Sequence, residues 1–264
     1  LSLLAGRPKI GKSFLALQLA VAVGSGGAFL GRQVEAGRVA YVALEDSPRR
    51  MRKRLKAMGN PKYQEDGDPR TSGPGFAITE HPSSLDIPRH WSSPRVIFVN
   101  SMSDLFHARV SSSFIKDVFQ VMEETPRHTY QLLTKRPRRA MRMTGELPWP
   151  SNVWLGVSVE TSEQLWRLDD LRKVPAATRF VSAEPLLGSL AGLDLTGMHW
   201  LIAGGESGPK HRPLDPEWVR EVCDECRGQG VAFFFKQWGG RTPKGNGREL
   251  DGRLWDEMPM SMQA

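Results

Sequence analysis

The chain has 264 residues, 39% of them hydrophobic and 25% charged, which is enough apolar material for one large domain or a medium domain with a smaller companion. A net charge of +7 favours anionic partners, nucleotide or nucleic acid, although a diffuse basic surface is the plainer reading. Cys223 and Cys226 are the only cysteines; they exclude a disulfide framework and suit a reducing cytoplasm. The apolar run over residues 14–23 is too short to cross a bilayer, so no membrane partner is expected. Basic residues precede that run as in a signal peptide, but apolar residues 1–5 upstream and the glycine pattern argue against one. The first residue is Leu1 rather than methionine, and we expect the chain to begin inside a longer reading frame.

Residues 1–5 read as a short strand, 13–23 as a Leu/Ala-rich helix closed by glycines, and 38–44 as a β-branched strand. Ser47 and Pro48 have the character of an N-cap and first helical residue, with Met51, Leu55 and Met58 on one face and Gly59 as the stop. Residues 60–75, rich in proline, glycine and charge, read as a loop. Apolar strands then recur at 76–79, 96–99, 130–133, 153–159, 179–181, 200–203 and 231–235, with helices expected at 114–124, 162–172 and 216–227. This alternation predicts an α/β fold, a (β/α) barrel-like parallel sheet that is incomplete unless the N-terminal segment supplies a strand. That N-terminal segment is a P-loop strand–loop–helix unit, and the domains divide as 1–50 and 51–264.

Gly6-Arg7-Pro8-Lys9-Ile10-Gly11-Lys12-Ser13 fits G-x-x-x-x-G-K-[ST] between a strand and a helix. The glycines let successive N–H groups turn toward phosphate oxygens, and the following helix adds its positive end. Gly6, Lys9, Gly11, Lys12 and Ser13 are therefore the candidate cofactor-binding residues, for ATP with Mg²⁺. Lys12 would reach the β- and γ-phosphates, and Ser13 would ligate the metal.

Beyond the P-loop, Gly31-Arg32 and Val39-Ala40-Tyr41-Val42-Ala43-Leu44-Glu45-Asp46-Ser47 resemble the RecA-like, RepA-type replicative ATPases of plasmids and phages. That resemblance gives Glu45 the role of polarising the attacking water; charge favoured by a helix start is the plainer account. The resemblance stops where a further strand should end in Asp to hold Mg²⁺. Residues 96–99 are followed by Asn100, whose neutral amide is a poor Mg²⁺ ligand, so hydrolysis is not expected.

From about Lys53 to Trp255 a different likeness takes over. Phe98-Val99-Asn100-Ser101-Met102-Ser103-Asp104-Leu105-Phe106-His107, Thr129-Tyr130-Gln131-Leu132-Leu133-Thr134-Lys135-Arg136-Pro137 and Phe180-Val181-Ser182-Ala183-Glu184-Pro185-Leu186-Leu187-Gly188 resemble a phage-associated, radical-SAM-like family of unknown function. Its members begin with a three-cysteine loop that would hold an iron–sulfur cluster. Here no cysteine precedes Cys223 and the P-loop segment stands in that place, so the chain reads as a chimera in which no cluster and no radical chemistry are expected. Cys223 and Cys226 fall in a helical pattern with Trp218, Val219 and Val222 and read as core; zinc would need two further ligands.

The strands end in polar residues, and in a parallel barrel those ends converge on one face. Lys135, Glu160, Glu184, Glu206 and Lys236 are the candidate catalytic residues there, beside Glu45; solvated strand ends are the bland alternative. Gly204-Gly205-Glu206 would let a ligand approach the backbone. Trp149, Trp154 and Trp238 could each stack a base, with core packing favoured for at least two, and the arginines of 136–142 could touch phosphates or simply be solvated. Three functions follow from these readings. The first is nucleotide binding; the second is an enzyme acting on nucleotide or nucleic acid at the barrel face; the third is a phage or plasmid nucleic-acid-binding protein. Residues 39–44 are also expected to pair in parallel beside 76–79 and complete the barrel.

Overall fold

The computed structural model describes residues 28–29, 32–33, 78, 80–99, 104–208, 210–242 and 245–259. The chain divides into two compact units, Leu1–Thr79 and Glu80–Ala264. In the first, β1 (Ala28–Phe29) pairs antiparallel with β2 (Arg32–Gln33). The P-loop, Glu45 and the expected pairing of 39–44 with 76–79 lie outside the described residues.

The second unit is an α/β fold built on a six-stranded parallel sheet curled into a half-barrel. Its strands are β3 (Val96–Val99), β4 (Thr129–Thr134), β5 (Val153–Ser158), β6 (Thr178–Ala183), β7 (Trp200–Gly204) and β8 (Ala232–Gln237), each beside the next in sequence. Four of the five crossovers carry an α-helix or end in one. The helix α1 (Ser112–Glu124) starts where the Ser111 hydroxyl accepts from the Phe114 N–H at 3.1 Å. It buries Ile115, Val118, Phe119 and Met122, the i, i+3, i+4, i+7 stripe of a helix lying on a sheet. A second, α2 (Pro137–Arg142), opens on proline, whose missing N–H is no loss in a first turn.

The expected helix over 162–172 is split. A 3₁₀ turn, Ser162–Gln164, comes first and α3 (Trp166–Arg172) follows, because Thr161 and Gln164 cap each other reciprocally and hold the tight turn. The helix α4 (Pro216–Gln229) is capped by Asp215, whose carboxylate accepts from the Glu217 N–H, and it ends on Gly230 at φ 69°. The β6–β7 crossover has no helix. It buries Leu186, Leu190, Leu193, Leu195 and Met198, and hydrogen bonds from Arg172 and Gln229 hold its backbone.

Alternation along the strands sorts the side chains onto two faces. Leu155, Val157, Val181, Leu201, Phe233 and Phe235 join the helices in one large core. Their neighbours Trp154, Phe180 and Trp200 form a smaller cluster on the inner face, flanked by Leu133, Ile202 and Phe234. Gly156 is required there, since a Cβ would overlap the Phe180 ring.

The two sheet edges differ. At the β3 edge, Val96 and Phe98 are 50% and 45% exposed. Along β8 the chain returns antiparallel: the Phe235 N–H donates to the Trp255 carbonyl at 2.8 Å and the Glu257 N–H to the Phe233 carbonyl at 3.1 Å. This strap follows a hairpin of β9 (Glu249–Leu250) and β10 (Arg253–Leu254), turned by Asp251 and Gly252 at positive φ. No described helix is long and apolar enough to cross a membrane.

Candidate ligand-binding rim

In a parallel sheet all strands end on the same side, so residues that follow β4 to β8 share one rim. Lys135 follows β4 directly, Glu160 lies just past β5, Glu184 follows β6, Glu206 lies just past β7, and Lys236 sits near the end of β8. The five expected barrel-face residues are thus gathered on one rim, but they pair unevenly. Glu160 accepts from the Lys135 ammonium on one oxygen and from Arg167 Nη1 on the other at 3.2 Å. Arg167, projecting from α3, also donates to the Ser158 carbonyl at 2.6 Å, which fixes its guanidinium. Lys236 Nζ donates to Glu184 Oε2 at 2.9 Å. Glu206 turns to its own loop instead, where Arg212 donates its backbone N–H at 2.9 Å, Nε at 2.8 Å and Nη2 at 3.1 Å.

These pairings decide what the carboxylates can do. Burial raises the Glu160 carboxyl, but the Lys135 hydrogen bond and the Lys135 and Arg167 charges outweigh it and hold the group below its ordinary range. The side-chain and backbone hydrogen bonds from Arg212 lower the Glu206 carboxyl from 4.5 to about 2. Both are anions at neutral pH. They suit orienting or balancing a ligand, not donating a proton.

Two open grooves adjoin along the rim. One, of about 520 Å³, is lined by Lys135, Glu160, Arg167, Glu206 and Arg212. The other, of about 560 Å³, runs from apolar Phe98 and Leu133 to polar Ser182, Glu184, Lys236 and Gln237; Pro185 and Glu206 border both. Charged groups facing an apolar floor make a site for a ligand with both anionic and apolar parts.

Three residues that the sequence reading did not assign complete the rim. Asp104 accepts from the Thr134 hydroxyl (2.8 Å), the Lys135 N–H (3.0 Å) and Arg136 Nη1 (2.8 Å), so it fastens the loop after β3 to the end of β4. Arg167 and Arg212 supply the cations already described. For these two the signal was a basic residue seven or six positions beyond a strand-end carboxylate. Asp104 lies some thirty residues from its partners and gave none.

The glycine reading is corrected. At Gly205 a Cβ would overlap the Trp238 carbonyl oxygen and lie 2.6 Å from its carbon, so this glycine admits the β8 loop and not a ligand. The three tryptophans considered for base stacking are all engaged. Trp154 is buried in the inner cluster, Trp149 packs edge-on against Phe119 at 4.9 Å, and Trp238 against Phe235 at 4.7 Å. Cys223 and Cys226 are buried in α4; burial raises the first thiol to about 11 and pushes the second up further. No cluster of three or more potential ligands for a metal ion occurs among the described residues.

Comparison with known proteins falls into two overlapping parts. Residues 1–92 match the model of an AAA domain, which marks a P-loop nucleotide-binding region. No curated protein and no solved structure matches the chain. A second model, "Protein of unknown function (DUF5131)", matches residues 47–259. That span takes in the half-barrel, its rim and the strap along β8, and on it the chain belongs to the DUF5131 family.

Proposed function

We propose that the chain binds ATP with Mg²⁺ through its P-loop and carries, in the DUF5131 half-barrel, a polar ligand site at the C-terminal ends of the strands. The observation that carries this reading is the unbroken G-x-x-x-x-G-K-S pattern at Gly6–Ser13 inside the AAA-domain match over 1–92. The donor set fits the ligand: glycine-permitted backbone N–H groups and the Lys9 and Lys12 ammonium groups for phosphate, the Ser13 hydroxyl for Mg²⁺. Bound nucleotide would place a triphosphate and a divalent cation on these residues. Glu45 is the candidate for polarising water, although hydrolysis is not part of the proposal. The domains divide at about residue 50, near the start of the stretch 47–92 that both family models match.

The radical-SAM-like kinship remains part of this reading, with no iron–sulfur cluster. The chain has two cysteines in all, and both thiols are buried and held protonated, whereas cluster ligation needs thiolates. A cytoplasmic setting and a phage or plasmid origin complete it.

A second reading makes the rim catalytic toward a nucleotide or nucleic-acid substrate. It is favoured by Lys135, Glu160, Glu184, Glu206 and Lys236 standing on successive strand ends. One calorimetric experiment separates the two. Mg²⁺–ATP should bind the unmutated chain, and Lys12→Ala should abolish that binding. No binding by the unmutated chain, or equal binding by the variant, overturns the P-loop reading. An affinity that survives Lys12→Ala and falls with Lys135→Ala favours the rim.

A further inference from the structure

The exposed tryptophan of the second unit is Trp166, the first residue of α3, with 44% of its surface open. Core packing does not account for a ring so placed, and its surroundings are cationic. The Arg138 guanidinium lies 5.3 Å from the ring centroid and that of Arg167 lies 5.8 Å away. Arg138 and Arg142 are one turn apart on α2 and therefore lie on the same side of that helix. Arg138 uses Nε to meet Asp170 at 3.1 Å, and its two terminal nitrogens have no acceptor among the described residues. Arg142 is exposed and has no carboxylate partner among the described residues. Lys173, the C-cap that follows α3, adds a further cation 3.9 Å from Asp170.

The acidic groups on this surface are Glu163, Asp169 and Asp170. Asp169 is taken by Arg172 at 2.6 Å and Asp170 is buried beneath Arg138 and Lys173, which leaves exposed Glu163 outnumbered by Arg138, Arg142 and Lys173 in what solvent meets. Arg167 belongs to both places: it borders the Trp166 ring and also holds Glu160 at the rim.

We infer that the α2–α3 surface docks single-stranded nucleic acid, with one base stacked on Trp166 and the flanking phosphates on Arg138, Arg142 and Lys173. An exposed ring can stack only an unpaired base, which selects single strands over duplex. Guanidinium groups beside the ring supply the charge that tracks the backbone. A membrane surface would call for a broad apolar face, and this patch offers a single ring between charges. A strand lying here leads past Arg167 into the groove of Lys135 and Glu160, so the surface would deliver a nucleic-acid end to the rim. The inference is independent of the P-loop reading, because none of these residues lies in the AAA-matched segment.

The test uses the full chain, without nucleotide or Mg²⁺, and a fluorescently labelled oligothymidylate of about 12 nucleotides, within the usual single-strand site size. Anisotropy should show tighter binding to the single strand than to a duplex of equal length. Trp166→Ala should weaken binding by roughly fivefold or more, and Trp166→Phe should recover most of it. Arg142→Ala should weaken binding and lower the salt slope by about 0.7, the share of one phosphate contact on a single strand. Circular dichroism should be unchanged in all three, since the altered side chains are exposed. Affinity unmoved by both alanine variants overturns the proposal. So does duplex bound as tightly as single strand, or binding to phosphatidylglycerol vesicles with none to the oligonucleotide.

Discussion

The two ends of the half-barrel's inner face are built from opposite materials. Toward the strand starts, Trp154, Phe180 and Trp200 pack against one another, with Trp154 only 2% exposed and its ring 6.1 Å from that of Trp200. Toward the strand ends, the same inward alternation delivers Ser158, Ser182 and Lys236, with Glu160 and Glu184 just beyond. One end excludes water and anchors the fold; the other keeps charges in pairs and leaves grooves between them. Burying aromatic surface at the floor stabilises the sheet by several kcal/mol, at about 25 cal/mol per Å². Ion pairs at a partly exposed rim add little to stability. The rim is therefore free to be arranged for a ligand.

Three changes probe that contrast. The largest effect belongs to the floor: Trp154→Ala should destabilise the domain by about 3–5 kcal/mol in urea unfolding, through lost burial and the cavity left behind. A loss under about 1 kcal/mol would mean that the inner cluster is not the anchor described. Next is the close backbone approach just past β7. Gly205→Ala should cost about 1–3 kcal/mol, because the obstructing atoms are backbone and cannot swing aside; an unchanged urea midpoint would remove close approach as the reason for that glycine.

The smallest effect is electrostatic and local to the rim. A carboxyl lowered from 4.5 to about 2 in the folded state contributes stability that is fully present above 4.5 and lost as pH falls toward 2. Arg212→Ala should return Glu206 toward its ordinary value and remove its share of that acid dependence. A side-chain carboxyl titration by NMR reads this directly, and a Glu206 that titrates near 2 without Arg212 would show that another group holds it.

Much of the half-barrel was legible because strands covered on both faces read as near-continuous apolar runs. All six strands from 96–99 to 232–237 were placed to within a residue or two by that signal. The break between the 3₁₀ turn and α3 was not, since helical periodicity runs through it and only the reciprocal capping of Thr161 and Gln164 marks it. The hairpin at Asp251-Gly252 carries a turn signature, but strands as short as β9 and β10 have no period to read beside it. The strap 255–257 has no pattern of its own and is defined by its partner β8. At the rim, position was legible and partnership was not. Strand-end carboxylates announce themselves, whereas Asp104 acquires meaning only when the fold brings Thr134, Lys135 and Arg136 to it. Trp166 is hidden for the converse reason: a tryptophan in a helical pattern reads as core, and only its exposure in the fold says otherwise.

The strap along β8 also bears on how the domain behaves in company. A parallel sheet that ends in an unpaired strand offers its row of N–H and C=O groups to any extended chain, including another copy of itself, and so acts as a template for polymerisation. Residues 255–257 occupy that row with antiparallel hydrogen bonds, and the Glu257 carbonyl is further held by the Trp200 indole at 2.9 Å. The segment therefore works as an end-stop, locked into the aromatic floor it adjoins. The DUF5131 match runs to residue 259, so the end-stop travels with the domain. A version cut before Trp255 would keep the rim residues but lose Trp255 from the core, and its bared β8 edge would be prone to grow by edge-to-edge addition.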